Sequence, residues 1–122
     1  MKKLITVSIL MMPLSVVFAG VVAISNPSDS YSAKDVTNAW KGKTTAQLVE
    51  NASASDGFYS DVVGKSAESV AKKIKRKVFS GRMSPPKELP SDSEVIKYIS
   101  ANPGSIGYVK DSSVDGSVKV IK

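Results

Sequence analysis

Apolar residues along this chain fall into short runs separated by polar, turn-rich segments, and the spacing inside each run predicts its conformation. Leu4 to Phe18 is an almost unbroken apolar stretch. Gly20 to Ser25 is short, apolar and β-branched, and reads as a buried strand. Asn26-Pro27-Ser28-Asp29-Ser30 then reads as a loop, because Pro fixes φ and Asn, Asp and Ser bond back to the local backbone. Ser32 and Asp35 have capping-box spacing, with Asp in place of Glu. They predict a helix with Val36, Ala39 and Trp40 on one side, ending near Gly42. Gln47-Leu48-Val49-Glu50 reads as a second strand.

The capping pattern recurs at Ser53 and Asp56. It predicts a helix with the i,i+4 pairs Phe58/Val62 and Tyr59/Val63, closed by Gly64. Ser66 caps the next helix, whose stripe is Ala67, Val70, Ala71, Ile74 and Val78. Ser80 to Pro90 reads as loop. Ser91-Asp92-Ser93-Glu94 is a full capping box before Val95, Ile96, Tyr98 and Ile99, and Asn102-Pro103-Gly104 ends that helix. Ile106 to Val109 and Val118 to Ile121 read as closing strands around an Asp115-Gly116 turn. The order β-α-β-α-α-α-β-β predicts a small α/β domain, a short mixed sheet flanked by about four helices, with no internal repeat.

Charge changes the reading of the N-terminus. Lys2 and Lys3 precede the apolar stretch, and Val17-Phe18-Ala19 puts compact residues where a signal peptidase cuts. Residues 1–19 are therefore expected to be a cleavable export signal, and residues 20–122 a single domain in the periplasm. Losing Lys2 and Lys3 lowers the formal charge from +6 to +4. The sequence has no Cys, so packing rather than disulfides must hold the domain, and a lipid-anchored form is excluded. It has no His either, so the usual general base, thiolate nucleophile and commonest metal ligands are missing, which argues against an enzyme.

Other chemical signals are weak. Ser69-Val70-Ala71-Lys72 and Ser84-Pro85-Pro86-Lys87 both match S-x-x-K, but the chain is far too short for a serine β-lactamase fold. No phosphate-cradling Gly-rich loop and no carboxylate cluster with metal spacing occurs. Lys72-Lys73-Ile74-Lys75-Arg76-Lys77 reads first as a solvated helix face, with anionic lipid or an acidic partner as the alternative. Export and the lack of interleaved aromatics argue against nucleic acid. Trp40, Tyr98 and Tyr108 read as core residues.

Three stretches taken together carry a family likeness. Val36-x-x-Ala39-Trp40-x-Gly42-Lys43 resembles an L-x-x-I-F-x-G-K helix. Phe58-Tyr59, Gly64-Lys65-Ser66 and Val78-Phe79-Ser80-Gly81 resemble an F-Y, G-K-S, I-F-T-G run. Asn102-Pro103-Gly104-Ser105-Ile106-Gly107-Tyr108-Val109 is similar to a T-P-G-A-I-G-Y-V strand. In this order they resemble the phosphate-binding proteins of ABC transporters, in the type 2 periplasmic-binding-protein superfamily. Gly107 is expected to leave space for another backbone.

The resemblance implies one lobe of a fold whose full-length members close two lobes on the ligand. It implies binding of inorganic phosphate or a similar oxyanion in support of transport or sensing, with no cofactor and no metal. In the family an Arg and a Ser-Gly-Thr stretch at a helix start hold the anion. Ser53, Ala54, Ser55, Asp56 and Gly57 occupy that place here, without an Arg, and Asp56 repels a dianion unless it accepts the ligand's proton. A plain helix cap at Ser53 and Asp56 is the competing reading. Ser28 and Ser30, in the loop after the first strand, are further candidates. The implied partners are an ABC permease or other envelope proteins, with a homodimer as one way to complete a half-cage. The alternative function is a ligand-free lobe acting as an interaction module in an envelope assembly.

Overall fold

The computed structural model describes residues 20–122, so the expected signal at 1–19 lies outside the described residues. Five strands, β1 (Val21–Ser25), β2 (Gln47–Asn51), β3 (Lys87–Leu89), β4 (Ser105–Lys110) and β5 (Lys119–Val120), form one sheet in the order β3-β2-β4-β1-β5. β2 runs parallel to β3 and β4, whereas β1 runs antiparallel to β4 and β5. The helices are α1 (Ala33–Ala39), α2 (Ser55–Phe58), α3 (Ala67–Phe79) and α4 (Asp92–Ala101).

The period of two along each central strand divides the core between two faces. Ala23, Leu48, Ile106 and Tyr108 point to one face, where α1 supplies Val36, Ala39 and Trp40, α2 supplies Phe58, and α3 supplies Val70 and Ile74. Ile24, Val49 and Val109 point to the other, against Val95, Ile96 and Ile99 of α4. Coverage on both faces explains why these strands read as apolar runs rather than alternating ones.

Several local expectations hold. Ser32 and Asp35 make a complete capping box, with the Ser32 N–H donating to Asp35 Oδ2 at 2.8 Å. Ser66 accepts from the Ser69 N–H at 3.1 Å. At α4 the box is half made: Ser91 accepts from the Glu94 N–H, and no return bond from the exposed Glu94 is present among the described residues.

Other expectations are corrected. The helix start at Ser53 and Asp56 lies later, at Ser55, with Ala54 in the cap position and no side-chain cap bond. Beyond Phe58 the chain widens into a π-turn, Tyr59–Val63, closed by the Gly64 N–H on the Tyr59 carbonyl at 2.9 Å, so the pairs do not follow a regular α-helical face. Only Val70 and Ile74 of the α3 stripe are buried; Ala67 and Ala71 are exposed. The supposed loop Ser80 to Pro90 contains β3, a three-residue edge strand between prolines, a position where Pro and exposed Lys87 and Glu88 are tolerated. β4 and β5 do not form a hairpin, because β1 inserts between them and gains a partner on each side.

Gly107 shows why one strand position must be small. A Cβ there would lie 2.6 Å from Ile99 Cδ1, 3.1 Å from Val95 Cγ1 and 3.2 Å from Val49 Cβ. The neighbours are α4 side chains and a strand Cβ rather than another backbone. Gly107→Ala is therefore expected to destabilise the domain by about 1–3 kcal/mol through overpacking, read as a lower urea midpoint at unchanged slope.

Candidate functional site

The carboxyl ends of β2 and β4 carry the densest polar network. Asn51 closes β2 and is fully buried. Its amide donates to the Tyr108 carbonyl at 3.0 Å and to Asp92 Oδ1 at 2.7 Å. Its Oδ1 accepts the Ser53 N–H at 3.0 Å and the Ser53 hydroxyl at 2.7 Å, a side-chain turn that directs the chain off the sheet.

Asp92, the first residue of α4, sits at the centre of this network. Its carboxylate also takes the Ser113 hydroxyl at 2.6 Å, the Lys110 N–H at 3.3 Å and the Ser53 hydroxyl at 3.1 Å. Burial pushes its pKa up, but the bonds from Ser113, Asn51, Ser53 and Lys110 outweigh burial and hold it below the usual Asp value. The molecule thus supplies its own anion at this edge.

The predicted site residues separate into two groups. Ser53 is exposed and bonded to Asn51 and Asp92; Ala54 is buried; Ser55 and Gly57 are half-buried and Asp56 is exposed. A Cβ on Gly57 would stand 3.0 Å from Val21 Cγ2, so the α2 start packs close on β1. The amides of Ser55, Asp56 and Gly57 precede the first intrahelical bond, from the Phe58 N–H to the Ala54 carbonyl at 3.1 Å. Ser28 and Ser30 lie at the opposite edge of the sheet, because β1 is antiparallel and Ser25 pairs with Ile106 near the start of β4. That loop closes the end of α4: the Asn26 amide donates to the Ile99 and Ser100 carbonyls, Ser28 donates to Asn26 Oδ1, and Asp29 accepts the Gly104 N–H. The structure does not bring the two groups together.

A groove of about 560 Å³ opens beside the first group. Ala71, Val78, Pro86 and Leu89 line its apolar part, and Ser55, Tyr59, Glu88 and Lys75 its polar part. Glu50 stands at its floor. The Glu50 carboxylate accepts from Trp40 Nε1 at 3.0 Å, from the Tyr59 hydroxyl at 2.7 Å and from the Tyr108 hydroxyl. Burial, reinforced by that carboxylate, raises both phenol pKa values, so both phenols stay neutral donors. Glu50 and Asp92 were not singled out in the sequence. A signal existed for Glu50: it is two residues after buried Leu48, so period two turns it toward the same core face. The local pattern marks Asp92 only as a helix-start acid, because its network partners come from remote segments. Among the described residues, no cluster of acidic side chains could hold a metal ion.

No family profile matches the sequence. No curated protein matches it either. Solved structures do. An ABC-type phosphate transport receptor from Vibrio cholerae superposes with a TM-score of 0.53 at 17% identity, over 84% of this chain and 45% of its own. A protein assigned as a phosphate ABC transporter substrate-binding protein from Clostridium perfringens, with bound phosphate, gives 0.60 at 18%, over 84% and 44%. PstS from Borrelia burgdorferi gives 0.56 at 13%, over 84% and 46%. The chain thus spans less than half the length of these structures. The architecture is that of a single lobe of a periplasmic-binding-protein fold.

Proposed function

We propose that this domain is a solute-binding lobe for inorganic phosphate or a similar oxyanion, serving phosphate transport or sensing outside the cytoplasm. The observation that carries the reading is the α2 start. Its amides at Ser55, Asp56 and Gly57, ahead of the first intrahelical bond, follow directly from the carboxyl end of a parallel strand. Open α/β sheets bind ligands at that place, and free helix-start amides favour an oxyanion. The phosphate-bound relative of the same fold supports the choice of ligand. The Ser55 and Ser53 hydroxyls complete the contact, and the Asp56 carboxylate accepts a hydrogen bond from the remaining P–OH of a monoprotonated anion. Binding needs neither a metal nor a chemical step, and an ABC permease is the natural partner.

A second reading is favoured by Asp92. Its carboxylate already engages Asn51 and Ser53, so part of the donor set is satisfied without a ligand. On that reading the lobe is an interaction module in an envelope assembly.

Calorimetric titration with phosphate at low salt, with sulfate as control, separates the two. The oxyanion reading expects saturable heat that weakens about tenfold on Ser55→Ala, the loss of one hydrogen bond to a charged group. No heat and no thermal shift at millimolar phosphate assigns the domain to the interaction module.

A further inference from the structure

Two helix ends and two glycine turns gather an unusual amount of positive charge at one place. The α1 end closes with Gly42 at φ +81°, the Gly42 N–H on the Ala39 carbonyl and the Lys43 N–H on the Asn38 carbonyl. The α3 end closes the same way: Gly81 at φ +76° bonds the Val78 carbonyl, and the Arg82 N–H bonds the Lys77 carbonyl. The turns are adjacent, since a Cβ on Gly42 would lie 2.8 Å from Lys77 Cγ. Lys41, Lys43, Lys73, Arg76, Lys77 and Arg82 line the shallow depression between them, and no acidic residue does. The only acid on α3, Glu68, is in its first turn, so charge is polarised along the helix.

Helix-end carbonyls offset some of this charge but not six cations in one depression. Beside them, Phe79 ends α3 with 81% of its surface exposed, the one large apolar side chain so placed among the described residues. It follows Arg76 by three positions and Lys75 by four, so all three share a helix face. A soluble polyanion needs the charge but gains nothing from a free phenyl ring. A bilayer with anionic headgroups uses both: lysine and arginine at the phosphate level, and an aromatic ring at the headgroup boundary.

We propose that this end of the domain is a peripheral docking surface for anionic lipid bilayers. Among the described residues no helix is long and apolar enough to cross a membrane, so the contact lies at the surface. The six cations lie at the C-terminal ends of α1 and α3 and not at the α2 start, whereas Phe79 and Lys75 also border the groove beside that start.

The test is vesicle pelleting of the full chain at low salt. It compares phosphatidylcholine vesicles with vesicles of equal parts phosphatidylcholine and phosphatidylglycerol. Residues 1–19 are common to every variant, so differences report the patch. The wild type is expected to prefer the anionic vesicles and to be released by salt. With each basic residue worth about fivefold at such a surface, the triple variant K73E/R76E/R82E is expected to lose that preference about a hundredfold or more. Phe79→Ser, which leaves the charge intact, is expected to weaken binding to anionic vesicles about fivefold to tenfold. All four side chains are exposed, and circular dichroism of each variant checks the fold. Equal pelleting with neutral and anionic vesicles overturns the proposal. So does a Phe79→Ser variant that binds as the wild type does while dextran sulfate competes for both, which assigns the patch to a soluble polyanion.

Discussion

Replacing Phe58 by alanine is expected to destabilise the domain by about 3–5 kcal/mol, the largest effect of any single truncation considered. Phe58 is fully buried and stacks on Tyr108, with ring centroids 3.8 Å apart and planes 3° from parallel. It also meets Trp40 edge-on at 4.7 Å and Tyr59 at 5.6 Å. These three neighbours are the residues that donate to Glu50. Removing the ring therefore opens a cavity and loosens the donors that make a half-buried carboxylate acceptable beside the core. Phe58→Leu retains most of the volume and is expected to cost roughly half as much. Urea unfolding checks both. A loss below about 1 kcal/mol for Phe58→Ala would mean that the aromatic cluster closes around the gap.

The second large effect falls on Asp92. Asp92→Ala removes the common acceptor of Asn51, Ser53, Ser113 and the Lys110 N–H, at the first position of α4 where a negative charge also suits the helix end. Hydrogen bonds to a charged acceptor, trimmed by partial exposure to solvent, give an expected loss of about 2–3 kcal/mol near neutral pH. Its pH dependence has a definite sign. The folded-state pKa of Asp92 lies below the unfolded value, so the stabilisation is fully present above the unfolded value. It disappears as pH falls through the folded value. The stability gap between wild type and Asp92→Ala should thus be constant from neutral pH down to roughly pH 5 and close below about pH 4. A gap that persists unchanged in acid would show that the carboxylate charge is not what the network uses. Asp92→Asn carries a functional corollary: it removes the fixed negative charge bonded to Ser53, so on the oxyanion reading phosphate affinity should rise while stability falls.

The elements that depend on neighbours in sequence were legible before the structure. The Ser32 box, the Ser66 and Ser91 caps, the Gly42 and Gly64 stops and the apolar cores of β1, β2 and β4 follow from local bonds and from side-chain period. Trp40 and Tyr108 lie in the core as the sequence predicts, because large aromatics between apolar neighbours are buried wherever the elements pack. β3 was hidden, since Lys87-Glu88-Leu89 is short, charged and bounded by prolines, and becomes a strand only because β2 offers an edge.

The two groups of candidate site residues mark the limit most clearly. Both Ser28 and Ser53 follow a strand, and sequence alone treats them alike. Only strand direction separates them, and β1 runs against β2 and β4 because it pairs with β4 and β5 across long stretches of chain. The same holds for Asp92, whose donors come from positions 51, 53, 110 and 113. The amino-acid pattern by itself determined most of the helices and the central strands, the main apolar anchors, and that chemistry based on His or Cys is absent. The tertiary structure decided which strand ends share an edge, that an internal carboxylate occupies the polar edge, and that cations from two helices meet beside Phe79. Those outcomes depend on non-local pairing, which no local propensity encodes.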